Sequence, residues 1–390
     1  MLGTDPEPVN ADSLEGVLVA DFSRVLAGPI ATMLLADLGA EVVKVERPGA
    51  GDDTRAWGPP WAPDGESSYY LSVNRNKRSV ALDLKDPDDL AAGLELARRA
   101  DVVIENFRPG VMARLGLDHE TLSAGNPRVV SCRIAGIGSG DAAGYDFLAQ
   151  AVGGLMSITG EPDGRPLKVG VALVDVMAGL HATIGILAAL RHRDRTGAGQ
   201  LVEVDLLSST LFALANQASS FLTAGVVPGR LGNRHPSIAP YETLQAADGP
   251  LVVAVGNDGQ FRELCACLGA PALADDPRFA TNAARVTNRD ELAAALQERL
   301  ATRDARSWLV ALGDAGIPCG SVNDIEEAFA FARTVGLDPA RTIARADGSE
   351  VATTANPLRL SATPPSYRLA PPRLGEHTEE ILAWLREDPA

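Results

Sequence analysis

The chain predicts an α/β fold, with a large domain built on a mostly parallel sheet, a smaller α+β domain, and a C-terminal segment that returns to the large domain. Three observations carry this. The length of 390 residues exceeds what one ordinary hydrophobic core needs. From Gly16 to Ile134, short β-branched runs alternate with helical ones, the pattern of parallel strands covered by helices on both faces. A Pro- and Gly-rich stretch at 228–240, PGRLGNRHPSIAP, then reads as a linker into a region of different element spacing.

Residues 1–13 are an acidic, polar tail. The large domain is placed at 14–205, beginning with a strand at Gly16–Asp21, a helix from Pro29 to Leu38 opened by Gly28-Pro29, and a strand at Glu41–Val45. That βαβ unit marks the domain as Rossmann-like. Strand Ser79–Leu84, helix Pro87–Arg99, strand Asp101–Glu105, a short helix at Val111–Leu115 and strand Arg128–Ile134 continue the alternation. A β-like run at Val169–Val174 leads into a helix over Val176–Leu190, and strand Leu201–Asp205 closes the domain. Residues 206–227 read as a connecting helix, Leu206–Leu222, with so few charges that burial between domains or subunits is expected. The small domain spans 228–325, with a strand at Leu251–Val255, a glycine turn at 256–259, and helices at Gln260–Leu268, Asp290–Ala301 and Ala305–Ala315. Residues 326–390 form the returning segment, ending in an amphipathic helix at Thr378–Arg386.

With 51 acidic against 35 basic residues, the net charge of −16 argues against nucleic acid as a partner, because a phosphate backbone demands a positive face. The longest apolar run, 169–190, is membrane-length. It holds Asp175, His181 and three glycines, so it is read as a strand, a turn and a buried helix, and no membrane association is expected. The tail lacks the apolar stretch of a secretory signal, and the four cysteines form no CxxC pair, so reduced thiols in a cytoplasmic protein are expected.

Several chemistries are excluded by motif. The first turn, Phe22 to Pro29, lacks GxGxxG, and Pro29 removes a donor that a dinucleotide pyrophosphate would use. No Walker motif, HExxH, Cys/His cluster or GxSxG elbow is present, so no metal is expected. What remains is Asp175, an acid among small and apolar residues. Desolvation raises the pKa of such a carboxyl and strips the water that would blunt it as a nucleophile. Its place between a β-like run and a helix equally suits an N-cap. Basic residues gather at the strand-to-helix loops: Arg24, Arg47, the run Arg75 to Arg78, Arg108, Arg114 and Arg133. In an acidic protein this set suits a phosphorylated carrier such as coenzyme A. Glycines at Gly136 and Gly138, and at Gly256 and Gly259, are candidates for bringing backbone N–H groups to an oxyanion.

Several stretches together resemble the class III coenzyme A transferases, which include formyl-CoA transferase, carnitine CoA-transferase-like proteins and the related α-methylacyl-CoA racemases. They are DFSRVLAGP at 21–29, LGAEVVKVERPG at 38–49, NKRS at 76–79, ENFRPG at 105–110, GYDF at 144–147, GGLMSITG at 153–160, GNRHP at 232–236, DPRF at 276–279 and GEHT at 375–378. The resemblance implies that Asp175 is the catalytic aspartate. It implies CoA contacts at Leu26, Ala27, Arg47, Asn74, Arg75, Asn76, Lys77, Asn106, Phe107, Arg108 and Arg114, to which charge alone adds Arg133. It also implies an interlocked homodimer, with acyl-CoA and a carboxylic acid as substrates and no permanently bound cofactor. The chemistry would run through an aspartyl-acyl anhydride and an aspartyl-CoA thioester.

The racemase branch carries a histidine just before an aspartate, where this chain has Tyr145 before Asp146. A phenol with a reference pKa near 10 is a poor base at neutral pH, so Tyr145 is read as a substrate contact and transfer is favoured. Racemisation, and a catalytically silent acyl-CoA-binding protein, are the alternatives. Leu26 stands where formyl-CoA transferase has a glutamine, so oxalate specificity is not implied, and the loop at 135–143 is short.

Overall fold

The computed structural model describes residues 12–138 and 144–387; most of the N-terminal tail and part of the 135–143 loop lie outside the described residues. The chain divides into two compact units. The first comprises residues up to Leu155, Lys168–Ala224 and the chain from Asp338 onward; the second comprises Met156–Leu167 and Gly225–Leu337.

The first unit is organised on six strands: β1 (Leu18–Asp21), β2 (Glu41–Glu46), β3 (Lys77–Ala81), β4 (Val102–Glu105), β5 (Val130–Ala135) and β6 (Leu201–Asp205). They lie in the order β3-β2-β1-β4-β5-β6, and every neighbouring pair is parallel. The chain steps outward from β1 to β3, then returns to start β4 on the other side of β1. That reversal opens a crevice at the carboxyl ends of β1 and β4, the place where such sheets bind ligands.

Strand periodicity sorts the core into two layers. Val19, Val42 and Val102 face helices α1 (Ala27–Asp37) and α4 (Leu173–Thr196), while Ala20, Val43 and Val103 face α2 (Pro87–Arg99) and the C-terminal helix α10 (Thr378–Arg386). A shorter helix, α3 (Asp146–Val152), precedes α4. Helices α1 and α4 approach so closely that a Cβ on Gly179 would stand 2.7 Å from the Ala27 carbonyl oxygen. This contact brings the start of α4 beside the start of α1. Helix α4 is long and apolar enough to cross a membrane by length and composition, yet half of its most apolar stretch is buried, against α1, β5 and β6.

Several expectations about elements change. Residues 169–172 are irregular rather than a strand, because the Val169 N–H donates to the Gln150 side chain instead of a sheet partner. The single helix expected at Leu206–Leu222 is two, α5 (Leu206–Ala213) and α6 (Ala215–Ala224), broken where Ala215 takes φ +45°. Within the single chain their Phe212 and Leu222 are exposed, so the chain itself does not supply the burial expected of them. Both helices belong to the first unit, residues 156–167 join the second, and the second unit continues to Leu337 rather than 325.

The second unit carries an antiparallel sheet, β7 (Tyr241–Gln245), β8 (Pro250–Ala254) and β9 (Cys319–Ser321), covered by α7 (Asp258–Cys267), α8 (Arg289–Leu300) and α9 (Ala305–Asp314). Leu251, Val253, Phe261, Leu296 and Trp308 form its core. The returning segment forms a hairpin, β10 (Ala340–Ala344) with β11 (Glu350–Thr354), followed by α10. A buried carboxylate on α1 fastens it. Asp37 accepts from Arg75 Nε and Nη2 at 2.9 and 2.6 Å, from Asn76 at 2.8 Å, and from Asn356 of the returning segment at 2.9 Å.

Candidate active site

Asp175 is the third residue of α4, so it lies inside the first turn and is not its N-cap. The residue before the helix, Ala172, has no side-chain oxygen with which to cap. The cap comes from α3: Asp146 Oδ1 accepts the N–H groups of Val174 at 2.8 Å and Asp175 at 3.3 Å. Among the described residues, no donor is recorded on the Asp175 carboxylate. The side chain is 9 % exposed, and burial, followed by the like charge of Asp146, pushes its carboxyl up to about 7.

Asp175 opens on a cavity of about 300 Å³ at the crevice predicted by the strand order. The loop after β1 contributes Arg24 to Ala27, the loop after β4 contributes Asn106 to Pro109, and the end of β5 contributes Arg133, Gly136 and Gly138; Tyr145 completes the wall. The β1 loop is held in a demanding conformation. Val25 takes φ +71°, unusual for a β-branched residue, and its N–H points at both oxygens of the buried Asp52, each 3.2 Å away. Lys44 clamps this arrangement, 2.9 Å from the Asp52 carboxylate and 2.9 Å from the Ser23 carbonyl. Burial alone would raise the Asp52 carboxyl, but Lys44 and the Thr54 N–H outweigh it and hold the group at about 2.

A second cavity of about 310 Å³ shares Arg24 and Phe107 with the first. It lies along the ends of β2 and β3, with an apolar floor including Phe22 and Leu82 and the cations Arg47, Lys85 and Arg114 on its walls. Arg47, Lys85, Arg108 and Arg114 have no recorded ion pair among the described residues, so their charge is free for an anion. Glu105, at the end of β4, accepts the Phe107 N–H at 2.7 Å and so fixes the loop between the cavities; its burial pushes the carboxyl up to about 7.

Twelve of the sequence-derived candidates therefore meet along two adjoining cavities: Leu26, Ala27, Arg47, Asn106, Phe107, Arg108, Arg114, Arg133, Gly136, Gly138, Tyr145 and Asp175. Arg133 is also paired with Glu203. Four others turn inward. Asn74, Arg75, Asn76 and Lys77 are buried and spend their hydrogen bonds on the protein: Arg75 and Asn76 on Asp37, Lys77 on Asp21 and Asn74, and Asn74 on the Tyr70 carbonyl. Their charge and amides position the floor and line neither cavity. Gly256 and Gly259 belong to the second unit, where Asn257 between them caps α7. Asp146 and Glu105 were not foreseen; an acid at the start of a short helix, or at a strand end, gives no local sign that it serves another element. Among the described residues, no three His, Cys, Asp or Glu side chains cluster as metal ligands.

A parallel sheet with a desolvated carboxylate and a cationic groove at its switch point fits an enzyme that handles CoA thioesters, and comparison with known proteins gives the same class. The chain belongs to CoA-transferase family III, whose profile matches residues 14–378. It is 45 % identical over 387 residues to succinate–glutarate CoA-transferase of Agrobacterium fabrum, covering 97 % of each chain. It is 42 % identical over 373 residues to succinyl-CoA:glutarate CoA-transferase of Mus musculus, covering 95 % of this chain and 85 % of that one. Among solved structures, a CAIB/BAIF family protein from Brucella suis superposes with a TM-score of 0.84 at 42 % identity, over 96 % of this chain and all of the other. The protein is a CoA-transferase.

Proposed function

We propose that Asp175 is the nucleophile of CoA transfer between short dicarboxylic acids. The observation that carries this is its desolvated carboxylate, without a donor among the described residues, at the wall of the first cavity. The nucleotide end of CoA lies in the second cavity, its phosphates against Arg47, Arg114 and Lys85, and the pantetheine arm passes Arg24 and Phe107 toward Asp175. The ionised carboxylate attacks the thioester carbonyl; the C–S bond breaks, giving a mixed anhydride and CoA thiolate. The thiolate attacks the aspartyl carbonyl of the anhydride, releasing the donor acid and leaving an aspartyl-CoA thioester. An acceptor carboxylate attacks that thioester, and the displaced thiolate then attacks the acceptor's carbonyl, restoring Asp175. One thioester becomes another, so no ATP is consumed. Gly136 and Gly138 line this cavity, and in this reading their backbone N–H groups receive the oxyanion.

The acid class follows the relatives, two of which are named for succinate and glutarate. Incubation with succinyl-CoA and hydroxylamine is expected to leave a hydroxamate on Asp175, located by peptide mass. A protein that binds succinyl-CoA and turns over without any Asp175 adduct would refute the assignment.

The interlocked homodimer belongs to the same reading. It is supported by exposed apolar side chains on the first unit, among them Ile184 of α4, Phe212 of α5 and Leu222 of α6, at 64, 78 and 78 % exposure. Light scattering is expected to give twice the chain mass; the mass of one chain at micromolar concentration would remove the dimer. All four cysteines are free, and we place the enzyme in the cytoplasm, where recovery in the soluble fraction of lysed cells checks the location.

A further inference from the structure

We infer that Asp146 and Gln150 form a clamp that positions Asp175, by holding the first turn of α4 and the irregular segment leading into it. The inference rests on Asp175 being the nucleophile.

The first turn of a helix exposes N–H groups that need acceptors, and the positive end of the helix attracts any nearby carboxylate. Asp175 is itself a short acid in that turn, so in isolation its own carboxylate is the obvious local acceptor. A carboxylate tied to backbone donors is a poorer nucleophile and points away from the cavity. Asp146 forestalls this by placing Oδ1 on the N–H groups of Val174 and Asp175. Its other oxygen, Oδ2, accepts from Gln150 Nε2 at 2.7 Å. Gln150 is fully buried, and its Oε1 accepts the Val169 N–H at 2.9 Å. Two side chains one turn apart on α3 thus grip the approach to α4 at Val169 and its start at Val174 and Asp175. The segment between has no strand or helix of its own to fix it.

Neither Asp146 nor Gln150 lines the cavity, so both act through Asp175 as positioning residues. Removing the clamp should change how often Asp175 is correctly aimed, and leave the CoA groove as it is. A displacement of about 1 Å at a reacting group can cost about 100-fold in rate.

The test compares Asp146→Ala, Asp146→Asn and Gln150→Met in the full-length enzyme, with succinyl-CoA as donor and glutarate as acceptor. Asp146→Ala is expected to lower kcat about 100-fold, with KM for succinyl-CoA within about threefold. Asp146→Asn keeps an oxygen for the α4 N–H groups but turns an NH2 donor toward Gln150 Nε2, and is expected to recover kcat to within about tenfold of wild type. Gln150→Met is close in shape but cannot bond Asp146 or Val169, and is expected to lower kcat about tenfold at unchanged KM. Wild-type kcat in Asp146→Ala, or equal losses in its Ala and Asn variants, overturns the clamp. If Asp146→Ala does not fold, wild-type kcat in a folded Gln150→Met has the same force. Hydroxylamine trapping separates the two layers of the argument: absence of an adduct in the wild type refutes the nucleophile, whereas wild-type trapping matched in rate by Asp146→Ala refutes only the clamp.

Discussion

Asp175→Asn is expected to abolish CoA transfer, with kcat down by at least about 10⁴-fold, while succinyl-CoA still binds. The amide is nearly the same size as the carboxylate but has no anionic oxygen to attack a thioester. Among the described residues that line the first cavity no second nucleophile stands ready: their other acid, Asp53, pairs with Arg24, and Tyr145 is a phenol. The fold should survive, because the α4 cap is made by Asp146 through backbone N–H groups and not by the Asp175 side chain. A variant that keeps more than about one-hundredth of wild-type kcat would show that the carboxylate acts without forming a covalent bond. The same residue sets the pH dependence of the wild type. With its carboxyl raised to about 7 by burial and by Asp146, Asp175 holds a proton below that pH and is not nucleophilic. Activity should therefore rise as pH increases through about 7, and a kcat/KM constant from about pH 5 to about pH 8 would contradict the assignment.

The second large effect is on stability. Asp37→Ala is expected to cost about 3–5 kcal/mol, read as a fall in the urea midpoint. The Arg75 guanidinium, 2 % exposed, would lose its ion pair at 2.6 Å and be left as an uncompensated buried charge. Asn76 and Asn356 would each lose an acceptor as well. Because Asn356 lies in the returning segment, limited proteolysis of Asp37→Ala should cut between Asp338 and the C-terminus sooner than in the wild type. A loss below about 1 kcal/mol would mean that Arg75 finds water or another acceptor and that the network is dispensable.

The central parallel strands β1, β2 and β4 were readable because each is a short, Val-rich run buried on both faces, and the βα alternation around them admits few topologies. The 169–172 segment was misread by the same logic: it is as apolar as a strand, but its Val169 N–H is taken by the Gln150 side chain of α3, which no local pattern reveals. The excursion of residues 156–167 into the second unit was equally invisible, being a matter of which distant core accepts a short stretch. At the site, free cations in the strand-end loops were found from charge in an acidic protein. The same signal also picked Arg75 and Lys77, whose side chains are buried and paired with Asp37 and Asp21; these partners lie 38 and 56 residues away in sequence and meet them only in the folded core. Asp175 itself could not be separated from an N-cap locally; only the tertiary cap from Asp146 shows that its carboxylate is not the one that caps α4.

The wall common to the two cavities, Arg24 and Phe107, bears on how the thioester's energy is conserved. In the proposed mechanism the CoA thiolate is detached only while the anhydride stands, once within each half-reaction, and a freely diffusing thiol would then escape while water consumed the anhydride. A nucleotide anchored in the second cavity, as proposed, would turn that thiol into a tethered reactant of the first. Its effective concentration at Asp175 is then set by the length of the pantetheine arm rather than by the CoA in solution, typically in the millimolar range for short flexible tethers. Recapture can thus outrun loss without a lid, and the handle that recognises the substrate also serves as the enzyme's protection against hydrolysis.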